Sequence, residues 1–219
     1  MLLLATDTSG KFGSISLARC GPDDACEVLE VIPLEGGTFS AQLVPQIATL
    51  LSKHGFSKQN LDAFAVASGP GSFTGLRVGL AAIKALAEIL SKPIIAVSLL
   101  EAVAASASGS GKVFAALDAG RGEVYVGEYE RDMTMLSERL LTRQEMVVAA
   151  DHHSVVTPDS GLAEFARTAG LKVQGIERPQ SDLIARLAWK KLEKKETIAL
   201  EVLDANYIRR SDAEIFSKQ

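Results

Sequence analysis

The sequence predicts an α/β protein of two related subdomains, each a mixed sheet flanked by helices, with the second subdomain reduced. Three observations carry this. The leading half reads strand, strand, strand, helix, strand, helix, strand, helix; three meandering strands followed by strand–helix units combine antiparallel with parallel pairing. A strand that ends in an aspartate turn and runs into a hairpin occurs twice, as Leu4-Ala5-Thr6-Asp7 and as Ala116-Leu117-Asp118. Between them lies Ala107-Ser108-Gly109-Ser110-Gly111, a loop of domain-boundary composition. The expected division is 1–106 and 107–219, with the C-terminal tail a candidate to pack back on the first subdomain.

Each element has a local reason. Leu2 to Thr6 is continuously apolar, as in a strand buried on both faces. Ser14 to Ala18 and Cys26 to Pro33 alternate, so they return as hairpin partners. Ser40 to His54 is helical: Leu43, Val44, Ile47, Leu50, Leu51 and His54 recur on one stripe, Gln42, Gln46, Thr49 and Lys53 lie opposite, and Gly55 ends the run. Ser57 to Asn60 allows one more turn. Ala63 to Ala67 and Pro93 to Val97 read as buried strands, and Ser98 with Glu101 makes a capping box for a helix from Leu99 to Ala105. The second half restarts with strands at Lys112 to Leu117, Glu123 to Tyr129 and Leu136 to Leu141. Thr142 caps a helix to Ala150; a strand at Ser154 to Thr157 and helices at Ala163 to Ala169 and Ser181 to Lys191 follow, and Val202 to Arg209 reads as extended.

The stretch Ser68-Gly69-Pro70-Gly71-Ser72-Phe73-Thr74-Gly75-Leu76-Arg77-Val78-Gly79 joins a strand to a helix. Gly69 and Gly71 permit backbone angles closed to other residues, Pro70 removes a donor, and Ser72 or Thr74 can cap the new helix. The turn is a candidate ligand cradle. With no Lys for phosphate and no nucleophile at the right spacing, it reads instead as the hinge that launches a helix able to pack closely on another through Gly75 and Gly79. The helix it launches, Phe73 to Leu90, carries two apolar stripes. Leu76, Leu80, Ile83, Ala87 and Leu90 form one; Val78, Gly79, Ala82, Ala85, Leu86 and Ile89 form the other, and only Arg77, Lys84 and Glu88 make a polar edge. So wide an arc requires cover on more than one side.

Composition narrows the function. A net charge of −4 over 219 residues excludes a self-sufficient nucleic-acid binder, and Lys190-Lys191 with Lys194-Lys195, interrupted by Glu193 and Glu196, reads as a solvated helix face. Cys20 and Cys26 flank a turn at Gly21-Pro22-Asp23-Asp24 and are expected reduced and structural. No run approaches membrane-spanning length, and the short apolar start without a basic leader reads as a strand; the expected compartment is the cytoplasm.

Three chemistries fail on spacing. Gly75 is followed by Leu76-Arg77 where a P-loop needs Lys and Ser or Thr. Ser72 follows Gly71 directly, which is not the hydrolase elbow. His152 and His153 are adjacent and cannot share a helix face toward a metal. The element order is that of the actin-like ATPase architecture, in which a nucleotide lies between the two subdomains. In such a cleft Asp7 and Asp118 would orient a divalent metal or water, and Ser9 and Ser14 would meet phosphate. Against this, aspartate commonly closes turns, and no adjacent glycine pair follows Gly37 to form an adenosine pocket. The cleft is expected to be vestigial, with no cofactor bound by the chain alone. A nucleotide-dependent enzyme using Asp7 and Asp118 is the alternative, with a metallopeptidase behind it.

The motifs Leu4-Ala5-Thr6-Asp7-Thr8-Ser9, the Ser68–Gly79 stretch, Val97-Ser98-Leu99-Leu100-Glu101-Ala102, and Leu117-Asp118-Ala119 with Glu123-Val124-Tyr125 occur here in order, and Tyr207-Ile208-Arg209 lies near the end. In these the chain resembles the TsaB (YeaZ) family of bacterial tRNA threonylcarbamoyladenosine synthesis, from the N-terminus to about Glu130. The resemblance implies a non-catalytic subunit that pairs with the catalytic relative TsaD, and with the ATPase TsaE, to transfer threonylcarbamoyl to adenosine 37 of tRNAs reading ANN codons. tRNA would be met only within the complex, the chain alone would pair with itself, and a nucleotide could sit at the partner junction. It also implies a partner surface built from the first two helices: Leu43, Gln46, Ile47 and Leu50 from one, and Gly75, Val78, Gly79, Ala82, Ala85, Leu86 and Ile89 from the other. The catalytic relative holds a metal through an H-x-x-x-H pair in the first of these helices. This chain has Phe39 and Leu43 near that place, and no metal is expected.

Overall fold

The computed structural model describes residues 1–22, 25–150, 153–206 and 208. Asp23, Asp24, His152, Tyr207 and Arg209 of the sequence reading lie outside the described residues. In chain order the elements are β1 (Leu2–Asp7), β2 (Phe12–Cys20), β3 (Cys26–Glu35), α1 (Phe39–Lys53), a 3₁₀ turn (Lys58–Asn60), β4 (Ala63–Gly69), α2 (Phe73–Leu90), β5 (Ile94–Ser98) and α3 (Leu99–Ala105). Then follow β6 (Val113–Gly120), β7 (Glu123–Tyr129), β8 (Met135–Thr142), α4 (Arg143–Ala150), β9 (Val155–Thr157), α5 (Ser160–Thr168), β10 (Val173–Gly175) and α6 (Ser181–Glu193).

Two compact units result. The first holds Met1–Leu99 with Pro179–Ala205; the second holds Leu100–Arg178 and, of the described tail, Asn206 and Ile208. The division therefore falls at the start of α3 rather than at the 107–111 loop, and α6 belongs with the first sheet. Its buried residues Ile184, Ala185, Leu187, Ala188 and Trp189 lie on the helix that packs across β1 to β5.

In the first unit the sheet order is β3-β2-β1-β4-β5. β1 pairs antiparallel with β2 and parallel with β4, and every residue of β1 is buried, as its unbroken apolar run predicts. The β2–β3 register sets Cys20 opposite Cys26, their Cα atoms 4.1 Å apart, and the two are bonded as a disulfide. This corrects the reduced reading: a hairpin that ends on two directly opposed cysteines brings their side chains together.

The second unit repeats the plan with the order β10-β9-β6-β7-β8. Phe114, Val126, Met146, Val155, Leu162 and Ala166 fill its core between that sheet and α4 and α5. Thr142 caps α4 as expected: its N–H donates to Glu145 Oε2 at 2.8 Å, and Glu145 N–H returns to Thr142 Oγ1 at 3.2 Å. β10 has no alternating apolar pattern and exists through parallel pairing with β9. Among the described residues no helix is long and apolar enough to cross a membrane.

Candidate functional site

The glycine stretch is fitted to the β1–β2 hairpin of its own unit. Gly69 ends β4 at φ +110°, Pro70 follows through a cis peptide, and Ser72 caps α2 by accepting from Gly75 N–H at 3.3 Å. Thr74 stands exposed in the first turn. Ser72 N–H donates to Ser9 O at 2.7 Å, and Thr8 Oγ1 donates to Gly75 O at 2.8 Å. A Cβ on Gly71 would stand 2.3 Å from Ser9 O, one on Gly75 2.1 Å from Thr8 O, and one on Gly79 2.3 Å from Thr8 Oγ1. The space these glycines leave is thus occupied by Thr8 and Ser9. It is not open to a ligand, and Gly75 and Gly79, expected to let another helix pack closely, face Thr8 instead.

α2 has one covered side and one open side. Leu76, Leu80, Ile83 and Ala87 are buried with Gly75 and Gly79, while Val78, Ala82 and Leu86 are half-buried, Ala85 is exposed and Ile89 is 72% exposed. At its start the Arg77 guanidinium stacks 3.7 Å from the centroid of Phe73, whose ring is 39% exposed. α1 packs beside α2. Of the α1 residues expected on the partner surface, Leu43, Ile47 and Leu50 are buried in the chain's own core and Gln46 is half-buried. Val44, expected on the covered stripe, is 54% exposed. Periodicity defined the stripe but not which edge of it stayed open. Phe39 is also committed to the core: a Cβ on Gly13 would lie 2.9 Å from its ring.

The end of α1 is tied to the edge strand β3. Glu30 accepts from Lys53 Nζ at 2.5 Å and meets His54 Nε2 at 2.8 Å. The Lys53 ammonium, and after it His54, holds the Glu30 carboxyl below its ordinary value. Sequence reasoning placed His54 at the helix end but had no signal for Glu30, since only the β2–β3 register brings it there.

The two expected cleft aspartates have the same local geometry in separate units. Asp7 Oδ1 accepts from Ser9 N–H at 2.8 Å, and Asp118 Oδ1 accepts from Gly120 N–H at 2.9 Å. Each carboxylate closes its own turn, so the duplication seen in the sequence extends to the hydrogen bond. Asp7 is buried, and opposite it in the ladder Ser14 Oγ accepts from Ser181 N–H at 2.9 Å at the head of α6. Ser9 Oγ is buried without a protein partner. Asp118 Oδ2 faces Arg143 at 3.4 Å, and its N–H donates to Asp159 at 2.8 Å. Asp7 and Ser14 are thus committed to turn and helix contacts, and Asp118 to a turn and an ion pair. Among the described residues no group of three or more His, Cys, Asp or Glu side chains is arranged to hold a metal.

A model of the family described as TsaD, tRNA N6-adenosine threonylcarbamoyltransferase, matches residues 34–160, more than half of the chain. The chain belongs to this family. The match includes α1, the glycine stretch, α2 and the β6–β7 hairpin. The Escherichia coli K12 protein named tRNA threonylcarbamoyladenosine biosynthesis protein TsaB is 28% identical over 228 residues, covering 97% of this chain and 96% of the relative. The solved structure of YeaZ from Pseudomonas aeruginosa superposes with a TM-score of 0.74 at 26% identity, over 94% of this chain and 100% of that one. The kinase-like Lmo2764 protein of Listeria monocytogenes, at 10% identity and a TM-score of 0.56, covers 88% of this chain with 100% of its own and shares the fold alone. The architecture is actin-like, and the TsaB resemblance carried by the glycine stretch agrees with these relatives.

Proposed function

We propose that this chain takes part in the formation of threonylcarbamoyladenosine on tRNA as a non-catalytic, activating subunit. Its place in that pathway rests on family membership and on relatives named for it. The non-catalytic role rests on what these residues do within their own units: Asp7 and Asp118 close turns, Ser14 holds α6, and the glycine turn is filled by Thr8 and Ser9. The observation that carries partner docking is the open side of α2. Val78, Ala82, Ala85, Leu86 and Ile89 form an apolar strip along a helix whose other side is already buried. A TsaD-type catalytic subunit, itself of this family, is the occupant this reading assigns, with helices of the two proteins packed as a bundle. Val44, Gln46 and the Phe73–Arg77 stack extend the strip, while Leu43, Ile47, Leu50, Gly75 and Gly79 support it from beneath.

In the absence of that partner the same strip pairs with a second copy by two-fold symmetry. A TsaE-type ATPase joins the assembly, tRNA is met only within it, and any nucleotide sits at the partner junction. The work is done in the cytoplasm. The test is co-purification with a TsaD-type protein and a tRNA modification assay with each component omitted in turn. Ala82→Arg places a charge in the strip and is expected to abolish co-elution and modification while the fold persists. Wild-type co-elution of that variant would refute the surface, and full modification with this chain left out would refute the role.

A further inference from the structure

We propose that the C-terminal segment Ile198–Ala205 is a latch on α2, with Lys84 as the positioning residue that keeps the helix's open strip in place for docking; the inference rests on the docking reading above. The start of α2 is pinned to the β1–β2 hairpin through Ser72 and Thr8. Its middle is tied by Lys84, whose Nζ donates to Leu203 O at 2.7 Å across 119 positions of the chain. That carbonyl is where it is because the segment carrying it is anchored on the same unit. Ile198 bridges antiparallel to Ile94, with its N–H donating to Ile94 O at 3.0 Å. Leu203 N–H closes a turn on Ala199 O at 3.0 Å, and the Leu203 and Ala205 side chains are 2% and 7% exposed.

Lys84 is therefore not the solvated polar-edge charge its position in the helix suggests. It lies between Ala82 and Ala85, so α2 cannot shift at Lys84 without carrying the strip with it. If the segment lifts, the ammonium and the carbonyl each lose a half-buried partner, and release of the tail is coupled to loosening of the helix. The bond to Leu203 O is made by Lys84, which belongs to the polar edge of α2 with Arg77 and Glu88.

The test uses the full chain with Lys84→Met, which keeps the length and loses the donor, and Lys84→Arg, which keeps a donor. Hydrogen exchange of the isolated chain is expected to run about tenfold faster at residues 84–90 and 199–205 in Lys84→Met, and near wild type in Lys84→Arg. Titration against a TsaD-type protein is expected to show about tenfold weaker association for Lys84→Met and recovery in Lys84→Arg. Unchanged exchange in Lys84→Met overturns the latch. Faster exchange with unchanged association overturns its role in docking. Failure of the wild-type chain to associate overturns the docking reading itself, and with it that role; the exchange arm, run on the isolated chain, tells this apart from failure of the latch.

Discussion

Gly79→Ala sets two effects of α2 against each other. In an exposed helix interior the change would stabilise by about 1 kcal/mol through propensity. Here the new Cβ would stand 2.3 Å from Thr8 Oγ1, and Thr8 is 2% exposed. The hydroxyl yields only by rotating away, which breaks its 2.8 Å bond to Gly75 O. A buried hydroxyl left unpaired costs about 1–3 kcal/mol, and residual overpacking adds an amount of about the same size. Strain wins, and the net loss is roughly 2 kcal/mol, or a fall of about 4–8 °C in Tm for a chain of this length. Thermal unfolding followed by circular dichroism reads the shift, and urea titration checks it.

A Thr8→Ala partner identifies the cause. Without the hydroxyl, the atom of residue 8 that the Gly79→Ala methyl would meet is Cβ, at 3.5 Å, an ordinary contact. The double variant should therefore be no less stable than Thr8→Ala alone, a coupling of about 2 kcal/mol. A Gly79→Ala protein at or above the wild-type Tm would refute the assignment of this glycine to the hairpin. So would a double variant in which the two losses simply add.

Gly75→Ala should be worse than Gly79→Ala in the same assay, because its Cβ would meet the Thr8 backbone carbonyl at 2.1 Å and no side-chain rotation relieves it. Ala82→Arg, in contrast, should leave Tm near wild type and shift the isolated chain to monomer in sedimentation, since Ala82 is half-buried on the open strip. Glu30 should make stability pH-dependent. Its carboxyl is held below the ordinary value of 4.5 by Lys53 and then His54, so its contribution is present above that value and is lost as pH falls through the lower folded value. From about pH 5 downward the Tm difference between wild type and Glu30→Gln should shrink; a gap that widens over that range would contradict the pairing.

Much of the fold is legible along the chain because its causes are local. The unbroken apolar run of β1, the helical period of α2, the Thr142–Glu145 box and the two aspartate turns are short-range patterns. Each appears in the structure where the pattern places it. The wide apolar arc of α2 was likewise evident as a demand for two coverings. Which residues meet which covering was not. Leu43 turns inward and the adjacent Val44 outward on the same stripe. Gly79 belongs to the apolar series of the open side yet faces Thr8.

The sequence by itself determined the actin-like plan, its duplication and the helix that has apolar surface to spare. Only the tertiary structure decided how that helix is held. The β2–β3 register brings Glu30 to the end of α1 and Cys20 to Cys26. α6 returns to cover the first sheet, and Leu203 reaches Lys84. Periodicity and turn preference act over a few neighbouring residues, whereas burial depends on what arrives from far along the chain. The glycines of the Ser68–Gly79 stretch could be recognised as demanding close approach, but Thr8 and Ser9 could be found as their partners only once β1 and β4 lay side by side.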